Sequence, residues 1–179
     1  VLSLVSTDDG IALWNATGLN ALTRSVLVPP DVVWSLSDGE SYAIEVRAIS
    51  HAGLSGTSAA TFQVDRTPPV AAAVFNGQLR NVACQQVTAP MQVSWTSIED
   101  HESGVRSIVW ALGLQPFAQD LLVAMRIDGD AGGLARKWSD TTGVLKPGMV
   151  VHSTLTVTNG AGSAAVFTPP PVRVVPHNC

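Results

Sequence analysis

The sequence predicts an all-β protein built from two units of one design, the first of them incomplete. Three observations carry this. Short apolar runs are cut by Gly, Pro and Asp clusters, and no window holds a 3.6-residue period over helix length with caps at both ends. One phrase is written twice, 109 positions apart: Leu36-Ser37-Asp38-Gly39, a strand through Tyr42, Ile44 and Val46, and the turn Ala52-Gly53 return as Leu145-Lys146-Pro147-Gly148, a strand through Val151, Ser153 and Leu155, and the turn Ala161-Gly162. A chain of 179 residues with that offset holds two sandwich-sized units, but only one in full.

The elements follow in order. Residues 1–64 are expected to be the C-terminal part of a first β-sandwich, because position 110 of the second copy corresponds to position 1 of the first. The chain then reads as a segment of a longer polypeptide, with the early strands of its first unit missing or supplied from elsewhere. Residues 65–69 form a Pro-rich joint: Pro68 and Pro69 offer no N–H to a ladder and hold the chain extended, which predicts a stiff connection. Residues 70–179 form the second sandwich. Met91, Val93 and Trp95 alternate as one strand, and Ile108, Trp110 and Leu112 as another. The stretch from Leu114 to Ile127 fits either a short helix, with Phe117, Leu121, Leu122 and Met125 near one face, or a loop followed by a strand. Asp128-Gly129-Asp130 resembles fragments of calcium loops, but Asp-Gly pairs more often mark tight turns. Pro169, Pro170 and Pro171 interrupt the final strand, which Val172, Val174 and Val175 are expected to resume as an edge.

Composition narrows the function classes. Hydrophobic residues make up 46% and charged ones 13%, which suits a buried core under a bland Thr, Ser and Ala surface. A net charge of −4 excludes a phosphate-binding scaffold, since nucleic-acid recognition needs clustered Lys and Arg. No run approaches the roughly 18 apolar residues of a membrane span, and the N-terminus lacks the basic flank of a signal peptide. A mature or excised soluble segment is expected.

Trp95 in the second strand of the second unit, Trp110 in the third, and the Leu36, Gly39, Tyr42 spacing together resemble the fibronectin type III and immunoglobulin-like superfamily of extracellular tandem β-sandwiches. The resemblance implies that Tyr42 forms a tyrosine corner, its ring capping the core while its hydroxyl reaches upstream backbone. The second copy departs from this, with Val151 in place of the tyrosine. The string from Trp95 through Glu99, Asp100, Glu102 and Gly104 to Trp110 is similar to a tandem variant of the module in large eukaryotic surface proteins. The Ala, Val, Gly and Pro bias looks like that of green-algal matrix and flagellar-surface proteins, mastigoneme-type appendages among them.

In such a sandwich the first and last strands run toward the same pole. That favours a disulfide between Cys84 and Cys179, the chain's two cysteines, over unpaired thiols or a partner outside this segment, and it implies an oxidising compartment. Asn15-Ala16-Thr17 is an N-glycosylation triplet, which such a compartment would make usable. Glu99, Asp100 and Glu102 form an acidic loop at the pole where Asp65 enters and Asn159 sits in a late turn; calcium takes several such oxygens, while a solvated Asp- and Ser-stabilised turn needs no ion.

No His or Cys spacing suits zinc: His51, His101, His152 and His177 are scattered and expected at loops or outward strand positions. Nucleophile-elbow, phosphate-loop and metalloprotease strings are absent, so no enzyme chemistry is expected. Trp95 and Trp110 are assigned to the core, which leaves Trp14, Trp34 and Trp138 for a possible sugar-stacking platform. Two functions compete. One is a non-catalytic structural or adhesive segment of a large extracellular or cell-surface protein, such as a flagellar appendage, whose partners are neighbouring domains of the same longer chain, other surface or matrix proteins, or glycans. The other is a carbohydrate-binding or accessory module of a secreted hydrolase, which aromatic side chains aligned on one exposed face would favour.

Overall fold

The computed structural model describes residues 1–127, the backbone of 136–138, residues 143–177, and Cys179. It is all-β apart from one six-residue helix, α1 (Pro30–Ser35), among the described residues. Two compact units divide the chain, Val1–Arg66 and Thr67–Cys179.

In the first unit β1 (Leu2–Ser6), β2 (Ala12–Ala16), β3 (Ser41–Ile49) and β4 (Ser55–Gln63) make one antiparallel sheet in the order β2-β1-β3-β4. Register sets Leu4 between Trp14 and Ile44, and Tyr42 opposite Phe62, so the alternating apolar residues of all four strands share a face. Leu4, Leu36 and Tyr42 are buried on it, with Val28, Val32 and Val64 packed against them. Val46 and Phe62 on the same face stay 44% and 40% exposed. The helix was not expected from the sequence. Pro30 in its first turn has the backbone angle a helix start requires, and Asp31 complements the N-terminal dipole; six residues are too few for a periodicity test to register.

The second unit has two layers. β7 (Cys84–Gln86), β10 (Val105–Gly113), β11 (Leu122–Ile127), β13 (Val150–Asn159), β14 (Ala164–Phe167) and β15 (Val172–Val175) form a six-stranded sheet. β6 (Val74–Phe75), β8 (Met91–Trp95) and β12 (Arg136–Trp138) form a three-stranded one, and β5 (Val70–Ala71) pairs with β9 (Ile98–Glu99). Met91, Val93 and Trp95 from β8 meet Ile108, Trp110, Leu112, Val151, Leu155 and Val157 from the larger sheet in one buried core. Each such side chain contributes about 1.5–3 kcal/mol on full burial. Among the described residues this core cluster holds fourteen buried hydrophobic residues, against three in the cluster of the first unit.

Two sequence expectations meet a different or a sharper outcome. The stretch from Leu114 is a loop followed by β11, and carries no helix. β15 is not an edge: it lies between β13 and β7, antiparallel to the first and parallel to the second. The prolines stand before β15 rather than in it, so every ladder N–H from Val172 onward remains available.

Two turns are built alike in the two units. Gly39 and Gly148 both adopt positive φ, +80° and +93°, which a side chain would strain. Each donates its N–H across the sheet at 2.8 Å, to the Val64 and Val174 carbonyls. Ser50 and Asn159 open the second turn in the two copies: each accepts, through its side-chain oxygen, the N–H four residues on, Leu54 at 3.1 Å and Ser163 at 2.7 Å. The copies differ at the last strand. β4 runs unbroken beside β3, whereas in the second unit the prolines split that path into β14 and β15.

Candidate functional site

The residues singled out in the sequence fall into three groups. Tyr42 belongs to the first. It is buried, and its hydroxyl accepts the Ser37 N–H at 2.9 Å, closing the five-residue turn that leads from α1 into β3. The ring thus sits in the core while the hydroxyl satisfies a backbone N–H of the turn. Val151, at the matching position, is fully buried and fills the site with methyl groups alone. Trp95 and Trp110 are 1% and 0% exposed, and the Trp110 Nε1 donates to the Ser153 hydroxyl at 3.3 Å, so the indole meets no polar penalty.

The second group is the acidic loop. Within the second unit Asp100 is the centre of a lock. Its Oδ1 accepts the N–H groups of Ser103 and Gly104, both at 2.9 Å, and its Oδ2 accepts the Asn159 amide at 3.1 Å. Asn159, fully buried, also donates to the Thr67 carbonyl at 2.9 Å. Ser103 Oγ accepts the Ala161 N–H at 3.1 Å, and Gly160 passes so close that a Cβ there would sit 2.5 Å from the Ser103 carbonyl oxygen. Burial works to raise the Asp100 pKa, but hydrogen bonds from the Ser103 N–H, the Asn159 amide, the Gly104 N–H and the Ser103 hydroxyl outweigh it, and the carboxyl is held below the ordinary carboxylate value. Both its oxygens therefore serve a turn. Glu102 accepts the Thr67 hydroxyl at 3.4 Å, whereas Glu99 points to His101, 3.5 Å away and exposed. Asp65 lies in the first unit and the other three acids in the second.

The third group is chemical modification and surface aromatics. Cys84 and Cys179 are joined by a disulfide with Cα atoms 5.8 Å apart, and the bond spans 95 positions. Cys84 opens β7 opposite Arg173, at the end of the sheet remote from Asn159. Asn15 lies exposed on β2, an edge strand, opposite Ser3 and turned away from the Trp14 face. Trp34 is 73% exposed with the Arg66 guanidinium 5.8 Å from its ring centre; Arg66 is itself pinned through its N–H to Asp38 and its guanidinium to the Val33 carbonyl. Trp14 is half-buried against Leu4. The Trp138 side chain and Asp128-Gly129-Asp130 lie outside the described residues. No row of exposed aromatics forms among the described ones.

Two buried polar residues had no place in the sequence reading. Asn76 donates its amide to the Pro170 carbonyl, tying the turn after β6 to the proline break, and Ser94 Oγ accepts the Leu79 N–H at 2.8 Å. The Asn76-Gly77 dipeptide marks a turn, but nothing in one sequence says that such an Asn is interior. No helix among the described residues is long and apolar enough to cross a membrane. The chain matches no protein-family model and no curated protein.

Proposed function

We propose that this chain is a non-catalytic structural or adhesive segment of a large extracellular or cell-surface protein, with fibronectin type III or immunoglobulin-like units serving as spacers. The observation that carries this reading is the placement of the Cys84–Cys179 disulfide. Tension reaching the second unit from both sides passes through that bond, so the 95 positions it closes cannot be drawn out, and the stretch from Thr67 to Cys84 alone can lengthen. Such an arrangement suits a spacer of fixed length. An oxidising compartment keeps the bond formed, and in a eukaryotic secretory route the exposed Asn15 would carry a glycan on the polar side of its sheet.

A carbohydrate-binding module needs a platform, and among the described residues the surface offers one strongly exposed indole, Trp34, already faced by Arg66. Affinity electrophoresis of the chain through gels containing soluble β-glucan, xylan or mannan separates the two readings. A spacer migrates unretarded in all three; retardation that Trp34→Ala abolishes would replace the spacer reading with the sugar-binding one.

A further inference from the structure

We infer that the loop between β6 and β7 is a processing site, cut at the Arg80–Asn81 bond by an arginine-directed protease of the trypsin class. The cut frees the chain entering the second unit from the part that the disulfide closes. Residues 78–81 are all exposed at the tip of that loop. Leu79 stands at φ +54°, a left-handed conformation uncommon outside glycine, with its side chain 55% exposed. Arg80 is the only charged residue between Thr67 and Ile98, and no hydrogen bond or ion pair holds its guanidinium among the described residues. Three bonds brace the loop: Val82 N–H donates to the Asn76 carbonyl at 3.0 Å, Asn76 N–H to Asn81 Oδ1 at 3.1 Å, and Leu79 N–H to Ser94 Oγ at 2.8 Å. A Cβ on Gly77 would sit 2.6 Å from the Arg80 carbonyl oxygen, so the tip is folded back and opens before a protease reaches that carbonyl. Opening it breaks bonds of the loop itself and no strand pairing, which sets it at the low end of local unfolding energies.

Every other Lys or Arg of the second unit is closed to the same enzyme. Arg106, Arg126, Arg136, Lys137 and Arg173 lie in paired strands, which a protease cannot draw into its cleft without breaking the ladder. Lys146 is followed by Pro147, whose ring blocks cleavage by this class. Hydrolysis adds one water across the Arg80–Asn81 bond, leaving a carboxylate on Arg80 and an amine on Asn81. Cys84 and Cys179 both lie on the C-terminal side of the cut, so the disulfide does not join the two pieces. Residues 67–80 then stay in the second unit by non-covalent contact alone: β5 on β9, β6 on β8, Ala71 and Val74 against the core, and the Asn76 amide on the Pro170 carbonyl. The consequence for tension rests on the spacer reading above, because the cut falls between Thr67 and Cys84, ahead of the disulfide. A covalent path is replaced there by two short strand pairings, and the spacer yields at that point under load.

Native digestion with trypsin, the disulfide intact, tests the cut without any load. N-terminal sequencing is expected to give Asn81 as the first new terminus within the second unit, while the bonds after Arg106, Arg126, Arg136, Lys137 and Arg173 survive. The urea-unfolded chain is expected to lose those bonds as well, and Arg80→Gln to abolish the Asn81 terminus. Gel filtration of the cut chain is expected to show the pieces together in buffer. The piece ending at Arg80 should come away at a urea concentration at which the uncut unit stays folded. A first cut at any other Lys or Arg of the second unit, an Arg80–Asn81 bond that survives until the unit unfolds, or a piece retained until the remainder unfolds would each overturn the inference. Failure of the spacer reading shows instead in the force response of the uncut chain, and leaves the digestion result untouched.

Discussion

The Tyr42 hydroxyl accepts the Ser37 N–H at 2.9 Å, and Val151, at the matching place in the second copy, has no hydroxyl to offer. One position thus carries two solutions to capping a β core. Tyr42→Phe keeps the ring and loses the bond, so it should cost the first unit about 0.5–1.5 kcal/mol, the net value of one hydrogen bond. Denaturant unfolding should show a lower midpoint at unchanged slope.

Val151→Phe should act by the opposite route. Val151 is fully buried among large neighbours, and the extra volume forces off-rotamer packing worth roughly 1–3 kcal/mol. The same unfolding experiment checks it. A neutral result would place the side chain outside the core and the two copies out of register.

The Asp100 lock predicts a pH dependence. Its folded pKa is depressed, so its contribution is present above the unfolded carboxylate value, near pH 4, and is lost as pH falls through the lower folded value. Asp100→Asn should flatten that acid limb and lower stability at pH 7 by about 1–2 kcal/mol, the upper value discounted for partial exposure. Gly160→Ala should destabilise the same pole without changing the pH profile, because its Cβ meets the Ser103 carbonyl.

Amide exchange should divide the chain. The first unit's core cluster has three buried hydrophobic residues among the described ones and offsets little of its ordering entropy, whereas the second unit's has fourteen. Amides of β8, β10 and β13 should exchange only through global opening, and those of β1 to β4 many-fold faster. Equal protection would show a first unit as stable as the second.

Strand alternation was legible in the sequence wherever one face is buried: Met91, Val93 and Trp95, or Ile108, Trp110 and Leu112, carry their own period. The burial of Tyr42 and the bond of its hydroxyl to backbone five residues upstream match what the family resemblance implies, and both partners are local in the chain. What escaped depends on partners distant in the chain. Asn76 meets Pro170, and the placement of β15 between β13 and β7 rests on a parallel pairing with a three-residue strand that has no pattern of its own. Asp100 stood out as an acid, and its use as a turn acceptor became visible only once Ser103, Gly104 and Asn159 were beside it.

The spacer reading is tested most directly by stretching the chain in a single-molecule force experiment, with the Cys84–Cys179 bond intact and then reduced. At ~3.5 Å per extended residue, unfolding of the intact second unit should release on the order of 60 Å, and of the reduced unit on the order of 400 Å. Reduction should also cost about 5 kcal/mol in the chain-entropy account of a loop this long. A short release that lengthens several-fold on reduction is the predicted result. A full-length release with the disulfide demonstrably intact would mean that tension does not pass through it, and the proposed spacer mechanism would fail.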